Sequence, residues 1–462
     1  MQPLSGTEKT GLSGLSFVCL TILVSSWRND GEPLYASLAI SGLAYAFTYC
    51  TIRWTGDVFL ANGFGGEDKS KKHKPRLPEM MGLICGLVYL LTLIFFLPFA
   101  FRRDIVEVTL GGGDKDRVLE AQHIETGRFL HTFPLEKLAS YGFAYGTLSS
   151  VVILGILDDT FDMRWRHKFF IPAFAALPML GLYFVDFGVT HVVVPLPLRG
   201  YLGELIDLGA LYYAYMAAIS IFCPNSINIL AGVNGIEVGQ SLVIALLIAL
   251  NDVLYLLPTV QQPHPATESH LFSIYLLLPF MGVSLALLKH NWFPAKVFVG
   301  DTYCYFAGMV FAVVGILGHF SKTLLLLFIP QIFNFVYSAP QLFKLVPCPR
   351  HRMPKFNART GLLEPSTANP AEAGWKPIRP LVEQVLKVLH QMKLVRVAVD
   401  ETGNIVETSN LTLLNLWLVW RGPLREDRLA LEVLLMQTLC GMAALWTRHF
   451  FARMLFAMDN RF

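Results

Sequence analysis

The chain has 462 residues, of which 54% are hydrophobic and 15% charged, and its mean hydropathy is +0.49. Soluble chains carry about 25% charged residues, so composition excludes a set of soluble domains, and it also excludes disordered and disulfide-rich classes. The net charge of +3 is too small to indicate a nucleic-acid partner. Composition therefore predicts an all-α polytopic membrane protein.

Apolar windows long enough for a membrane helix, about 20 residues, recur along the whole chain. The ten windows lie at 35–54, 82–101, 139–157, 169–187, 208–224, 236–257, 271–288, 302–320, 322–343 and 428–447. Another apolar stretch, 11–27, could be an eleventh span, a signal-like segment or an interfacial helix. Its Ser and Gly content favours a segment that does not span or is removed. Residues 191–194 predict a short extended hairpin outside the membrane.

The connections between these windows divide into two faces. Five of them are each separated by two spans and therefore share one face: 55–81, 158–168, 225–235, 289–301 and 344–427. This face carries most of the Lys and Arg residues of the connections, so the positive-inside rule places it in the cytosol. The chain then divides into an N-terminal extension (1–34), a nine-helix catalytic core (35–343), a small cytosolic α+β insertion (344–427) and a last helix with its tail (428–462).

The first chemical signal is the pair Asp158 and Asp159, followed within ten positions by Asp162 and four basic groups that end at Lys168. Adjacent carboxylates at a membrane surface repel each other unless a cation lies between them. The run favours a metal–phosphate site. The alternative is a solvated helix end.

The second signal is a set of amides in an apolar stretch. Asn225 and Asn228 lie three positions apart and share one helix face, and Asn234 and Glu237 follow. Amide oxygens are suitable ligands for Mg²⁺, although asparagine can also hold helices together inside a membrane. Asp301 stands at the mouth of a span without a basic neighbour in sequence, which favours a Mg²⁺ ligand over a helix cap.

The third signal is a loop in which prolines flank Arg350, His351 and Arg352. Paired guanidinium groups suit phosphate, and on charge alone a lipid headgroup fits nearly as well. Acids and amides for Mg²⁺, basic groups for phosphates and apolar helices for a lipid together indicate phosphoryl transfer at a membrane surface.

Two other classes compete with this interpretation. The spacing of Asp158, Asp159 and Asp162 mimics the Asp-rich motif of intramembrane prenyltransferases, but the sequence lacks their second motif. A transporter or scramblase without catalysis is the other alternative. Charged groups on one face, rather than at mid-span, argue against it.

A family resemblance emerges from six runs of sequence. They are Arg164–Lys168, Ile227–Glu237, Val297–Asp301, Phe306–Met309, Val314–Lys322 and Cys348–Arg352. In these runs the chain closely resembles polyprenyl-phosphate N-acetylhexosamine-1-phosphate transferases. Arg350, His351 and Arg352 form the signature of the eukaryotic branch, which acts on dolichyl phosphate, and the resemblance extends from residue 35 to the C-terminus.

The resemblance implies an enzyme of the endoplasmic reticulum membrane with ten helices and a site that faces the cytosol. It would use Mg²⁺ to transfer GlcNAc-1-phosphate from UDP-GlcNAc to dolichyl phosphate, or to a related polyprenyl phosphate. A homodimer is compatible with the resemblance, but the sequence does not define the oligomeric state.

The resemblance also implies roles for individual residues around the diphosphate. Asn228 and Asp301 would ligate Mg²⁺, and Asp158 and Asp159 would organise the metal–phosphate centre. Lys168 would pair with phosphate or with Asp159.

Further roles implied by the resemblance concern the nucleotide and the sugar. Gly232, Asn234 and Phe298 match the uridine pocket, with Phe298 stacked on uracil. Asp68 and Glu79 correspond to further nucleotide contacts, Glu79 on the ribose. The remaining assignments are a pyrophosphate contact for Arg350 and recognition of the N-acetylated sugar by His351 and Arg352.

Overall fold

The computed structural model describes most of the chain. The described residues are 3–28, 31–102, 105, 135–161, 163, 168–257, 266–349, 352–368, 380–400 and 405–456. Several residues singled out from the sequence lie outside this set: Arg350, His351, Asp162 and the run 164–167.

Helices dominate the fold. In chain order they are α1 (Gly6–Arg28), α2 (Pro33–Ala61), α3 (Met81–Ala100), α4 (Leu135–Phe161), α5 (Ile171–Ala175), α6 (Leu177–Leu182), α7 (Arg199–Leu202), α8 (Ala210–Ile229), α9 (Ile236–Leu256), α10 (Thr267–Asn291), α11 (Asp301–Leu317), α12 (Ser321–Leu327), α13 (Ile329–Leu342), α14 (Pro380–Gln391), α15 (Leu413–Arg421) and α16 (Glu426–Phe456). The strands are β1 (Gly65–Glu67), β2 (Arg76–Pro78), β3 (His191–Val193), β4 (Leu205–Asp207), β5 (Lys355–Asn357), β6 (Leu362–Glu364), β7 (Thr367–Ala368), β8 (Val397–Val399) and β9 (Ile405–Ser409).

Among the described residues, seven helices are long and apolar enough to cross a membrane: α1, α2, α3, α4, α9, α10 and α16. The pair α12 and α13 passes the same test as one bent unit, with a 68° angle at the break. The helical polytopic fold is therefore confirmed. The count of ten spans stays a prediction, because α11 is shorter and the window 169–187 is divided between α5, α6 and a π-helical turn.

The N-terminal segment forms a helix of its own. α1 contains the stretch 11–27 and packs against α2. Glu8 fastens it there, because its Oε1 accepts hydrogen bonds from Tyr49 Oη at 2.6 Å and from Arg53 Nη1 at 3.3 Å. By length and hydropathy α1 is a candidate span, whereas the sequence favoured a segment that does not span or is removed.

The centre of the bundle is α11, in which every residue from Thr302 to Leu317 is buried. α11 packs against α3, α4, α8 and α10. Close approach depends on glycine: a Cβ atom at Gly308 would lie 2.3 Å from Pro224 backbone atoms on α8. The first residue of α11, Asp301, is therefore held in the middle of one end of the bundle.

The strands form only small antiparallel sheets. β1 pairs with β2 in the first loop, and β3 pairs with β4, which confirms the extended segment predicted at 191–194. The insertion 344–427 contains the β5–β6 hairpin and a three-stranded sheet of order β7-β9-β8, together with α14 and α15. The small α+β insertion is thus confirmed.

Candidate active site

Asp301 lies between two partners from distant parts of the chain. Its Oδ2 accepts a hydrogen bond from Lys168 Nζ at 2.7 Å, and its Oδ1 accepts one from Asn228 Nδ2 at 3.0 Å. The preceding Gly300 has a φ of +83°, and a Cβ atom there would lie 2.9 Å from Met80 Cα. Glycine is therefore required just before α11, and three loops bring an acid, an amide and a cation together.

Asp158 and Asp159 have different partners. Asp158 pairs with Lys168, with Oδ2 and Nζ 2.9 Å apart, whereas Asp159 accepts hydrogen bonds from the backbone N–H groups of Asp301 at 2.7 Å and Thr302 at 3.0 Å. Consecutive helical residues point about 100° apart, so one carboxylate reaches the lysine and the other caps α11. The expected Lys168–Asp159 pair is therefore wrong. The alternative, a phosphate partner for Lys168, stays a prediction.

The surroundings of Lys168 keep it charged. Burial alone would lower the pKa of its ammonium group, but the carboxylates of Asp301 and Asp158 together raise that pKa above its ordinary value. Lys168 is thus a permanent cation at neutral pH, between two acids that fix its direction.

Glu79, Phe298 and Gly66 meet beside this centre. The backbone N–H of Phe298 donates to Pro78 O at 2.7 Å, which joins the loop before α11 to β2. A Cβ atom at Gly66 would lie 3.2 Å from both Glu79 Oε2 and the Phe298 ring, so only glycine leaves the two side chains undisturbed. Burial, and secondarily the charge of Asp301, raises the pKa of Glu79.

Asn234 is supported by a buried network. Its Nδ2 donates to Asp68 Oδ2 at 3.1 Å, and its backbone N–H donates to Glu426 Oε1 at 3.0 Å. Lys71 forms ion pairs with both acids, at 3.5 Å from Asp68. Because the protein already engages the Asp68 carboxylate, which is 3% exposed, we expect Asp68 to position Asn234. Glu426 was not among the candidates, because in the sequence it stands beside Asp427, Arg425 and Arg428 and resembles part of an ordinary charged helix start.

A cavity of about 670 Å³ opens beside Asp301. Its lining includes Lys168, Asn225, Asn228, Gly232, Gln341, Lys344, Arg352 and Met353. Gly232 has a φ of +105°, and a Cβ atom there would lie 2.9 Å from Met353 Cβ. A larger residue at position 232 would therefore collide with Met353 at the cavity wall. Asn228 and Gly232 thus share one cavity with the insertion.

Arg352 lines this cavity and is held by its backbone. Its backbone carbonyl accepts hydrogen bonds from Asn415 Nδ2 at 2.8 Å and Ser366 Oγ at 3.3 Å, which hold the loop in place. Its Nη1 is buried and has no hydrogen-bond partner among the described residues. A buried donor without an acceptor is costly, so this guanidinium is suited to a bound acceptor.

Asn228 and Asp301 fit Mg²⁺ only as part of a larger ligand set. Their oxygen atoms are the hard ligands that Mg²⁺ prefers, and the ion is commonly held by one or two carboxylates plus water and substrate phosphates. Among the described residues no group of three or more His, Cys, Asp or Glu converges to hold a metal. The pair therefore suits a site that a diphosphate completes.

One further polar group was missed in the sequence. Tyr305 lies one turn after Asp301 on α11, and its Oη is near the Asp158 carboxylate without forming a hydrogen bond to any described residue. In the sequence, a tyrosine inside an apolar run cannot be told from a residue that only packs in the core. The structure is needed to show that Tyr305 lies near the candidate site.

Known proteins match this chain over almost its full length. Residues 142–319 match the family model described as glycosyl transferase family 4. UDP-N-acetylglucosamine–dolichyl-phosphate N-acetylglucosaminephosphotransferase of Saccharomyces cerevisiae is 51% identical over 96% of this chain and 98% of its own length. The protein of the same name from Schizosaccharomyces pombe is 48% identical over 94% of this chain and 96% of its own. A probable undecaprenyl-phosphate N-acetylglucosaminyl 1-phosphate transferase of Bacillus subtilis is 27% identical over 39% of this chain and 45% of its own length.

Proposed function

Because the chain belongs to the family of UDP-N-acetylglucosamine–dolichyl-phosphate N-acetylglucosaminephosphotransferases, we propose that the cluster around Asp301 is its Mg²⁺-dependent catalytic centre. The enzyme transfers GlcNAc-1-phosphate from UDP-GlcNAc to dolichyl phosphate, the first step of N-glycan precursor synthesis. The observation that carries the proposal is that Asp301 accepts hydrogen bonds from Lys168 and Asn228, two residues that line the cavity.

The chemistry requires little from a general base. An anionic oxygen of dolichyl phosphate attacks the β-phosphorus of UDP-GlcNAc, the bond from that phosphorus to the bridging oxygen breaks, and UMP leaves with that oxygen. The sugar–phosphate bond stays intact. A phosphate monoester is largely ionised at pH 7, so catalysis depends on positioning and charge neutralisation.

Lys168 supplies fixed positive charge for the transferring phosphates, and Asp158 and Asp301 orient its ammonium group. Asn228 and Asp301 would hold Mg²⁺, which would supply charge neutralisation for the phosphate oxygens. Asp159 holds the first N–H groups of α11 and thereby fixes Asp301 in place.

The nucleotide and the sugar are assigned to opposite sides of this centre. Phe298 offers a ring face to uracil, Glu79 accepts from a ribose hydroxyl, and Asn234 and Gly232 complete the pocket. Arg352, which lines the cavity, is assigned to the N-acetylated sugar. Arg350 is assigned to the pyrophosphate and His351 to the sugar by their motif.

The protein is a multi-pass membrane protein, and we assign it to the endoplasmic reticulum with its site facing the cytosol. In support, the groups around Asp301 come from connections predicted to share one face, including 158–168 and 225–235.

The test is an assay of the purified protein with UDP-GlcNAc and dolichyl phosphate, in which UMP release is followed with and without a chelator. We expect turnover to need a divalent cation. Asp301→Asn should lose most activity while staying folded, and added Mg²⁺ should recover little of it. Asp207→Asn, at the end of β4, is the control. Near-normal turnover by Asp301→Asn at ordinary Mg²⁺ would remove Asp301 from the centre.

A further inference from the structure

Three glutamines meet inside the helical bundle, away from the cavity. Gln240 on α9, Gln331 on α13 and Gln437 on α16 are each 1% exposed or less. Gln331 Nε2 donates to Gln240 Oε1 and to Gln437 Oε1, both at 2.9 Å. We refer to these three residues as the glutamine cluster.

The cluster reaches the catalytic loop through Gln240. Its Nε2 donates to the backbone carbonyls of Ile227 at 3.2 Å and Leu230 at 2.8 Å. These carbonyls lie at the C-terminal end of α8, where helix geometry leaves them without backbone partners. They flank Asn228, so Gln240 fixes the last turn of α8 from which that amide reaches Asp301.

The opposite end of the cluster reaches the bent span. Gln437 Nε2 donates to Leu327 O at 2.9 Å, at the last residue of α12 before the bend. From there α13 runs to Gln341, whose Nε2 donates to Pro347 O at 2.9 Å in the segment that leads to Arg352. The cluster thus connects the last turn of α8 to the bend between α12 and α13.

We propose that Gln240, supported by Gln331, is a positioning residue for GlcNAc-phosphate transfer that sets Asn228 in place against Asp301. Amide side chains inside a membrane also hold helices together without any catalytic consequence. The arrangement here differs because Gln240 Nε2 donates both of its hydrogen bonds to backbone carbonyls on either side of Asn228, a proposed metal ligand. Gln331, in contrast, keeps a buried Oε1 without a partner among the described residues.

The cluster contains its own matched control. Gln437 has the same chemistry and burial as Gln240, but it contacts Gln331 and α12 and makes no hydrogen bond to the loop of Asn228. Replacement by leucine keeps the size and removes the hydrogen bonds. If the cluster only holds helices together, Gln240→Leu and Gln437→Leu should lower the melting temperature and the turnover alike.

The experiment compares Gln240→Leu, Gln331→Leu and Gln437→Leu in purified full-length protein by kcat, the KM for UDP-GlcNAc, Mg²⁺ half-saturation and thermal unfolding. Misplacement of a catalytic group by about 1 Å costs about 100-fold, so Gln240→Leu should lose about 10- to 100-fold in kcat. It should also need more Mg²⁺, with little change in KM. Gln331→Leu should show a smaller loss and Gln437→Leu almost none.

A kcat for Gln240→Leu equal to that of Gln437→Leu would overturn the inference. If Gln240→Leu does not fold, the kcat values of Gln331→Leu and Gln437→Leu are compared instead. A lower kcat for Gln331→Leu supports the inference, and equal values overturn it. The inference rests on the proposed role of Asn228, which Asn228→Ala tests separately. Unchanged turnover in Asn228→Ala would refute that role and the inference with it. Lost turnover in Asn228→Ala with normal kcat in Gln240→Leu would refute the inference alone.

Discussion

Lys168 Nζ and Asp301 Oδ2 lie 2.7 Å apart, although 133 positions separate the two residues in the chain. Asp158 holds the same ammonium group from a third element at 2.9 Å. Lys168 therefore forms ion pairs with two acids that lie on different helices. Its charge offsets carboxylates that would otherwise repel each other and any incoming phosphate.

Replacement of Lys168 by methionine should remove most turnover, because the transferring phosphates lose a fixed cation. Loss of one such group costs about 100- to 1,000-fold in kcat. Lys168→Arg should recover part of it. UMP release and thermal unfolding are measured together, with Lys137→Met as control, since Lys137 forms an exposed pair with Glu268. Normal turnover in Lys168→Met would place the catalytic cation elsewhere.

The raised pKa of Glu79 predicts a pH effect on substrate affinity. On acidification this carboxyl gains its proton at a higher pH than an ordinary glutamate with a pKa of about 4.3. The protonated form is a weaker acceptor for a ribose hydroxyl. The KM for UDP-GlcNAc should therefore rise on mild acidification, before ordinary carboxylates titrate.

Glu79→Gln provides the comparison for this pH effect. It should have a raised KM at neutral pH and should lack the acidic rise, whereas Glu383→Gln, on the surface of α14, should behave as the unmodified enzyme. If Glu79→Gln retains the same acidic rise in KM, another group causes it.

Motif and composition predicted the type of fold, but not how the acids and the lysine of the candidate site pair with one another. Which of Asp158 and Asp159 meets Lys168 depends on the rotation of α4 against α11, and no local pattern encodes that rotation. The glutamine cluster was missed for a similar reason: Gln240, Gln331 and Gln437 are single amides on three helices, and only packing brings them together.

The breaks before α5, α6 and α13 are a different case, because the sequence contains part of the information that predicts them. Pro172 and Pro178 stand in the first turns of α5 and α6, and Pro330 stands in the first turn of α13. Proline has no N–H to bond to the preceding turn, so it is tolerated in the first turn of a helix but not in its interior, and these prolines are compatible with a new helix that begins inside a window. Hydropathy alone therefore overestimates the continuity of these segments.

Arg352→Ala should affect turnover of UDP-GlcNAc far more than binding of UMP. Arg352 lies on the insertion at the cavity, whereas the groups assigned to uridine lie around Phe298 and Asn234. Arg352→Lys should stay impaired, because an ammonium lacks the planar fork of guanidinium. Product inhibition by UMP and turnover are compared in the same preparation. Equal losses in both would mean that Arg352 contacts the nucleotide.

Access from the two sides of the membrane tests the topology that the site requires. Exposed positions in three of the connections assigned to the cytosol, Lys72, Lys296 and Thr360, are changed singly to cysteine in a variant without the seven native thiols. An impermeant maleimide should label each of them in intact microsomes. Tyr201, which is 88% exposed beyond β3 on the opposite predicted face, should label only after the membrane is opened.

The decisive position in this set is Lys296, which follows α10 and precedes Asp301. If α10 crosses the membrane, Lys296 shares a face with Lys72 and both label together. If α10 does not cross, Lys296 is protected while Lys72 reacts, and Asp301 could not lie on the same face as the first loop. That pattern would contradict a cytosolic centre assembled from these connections, because Phe298, only two positions further on, donates to Pro78 in the first loop.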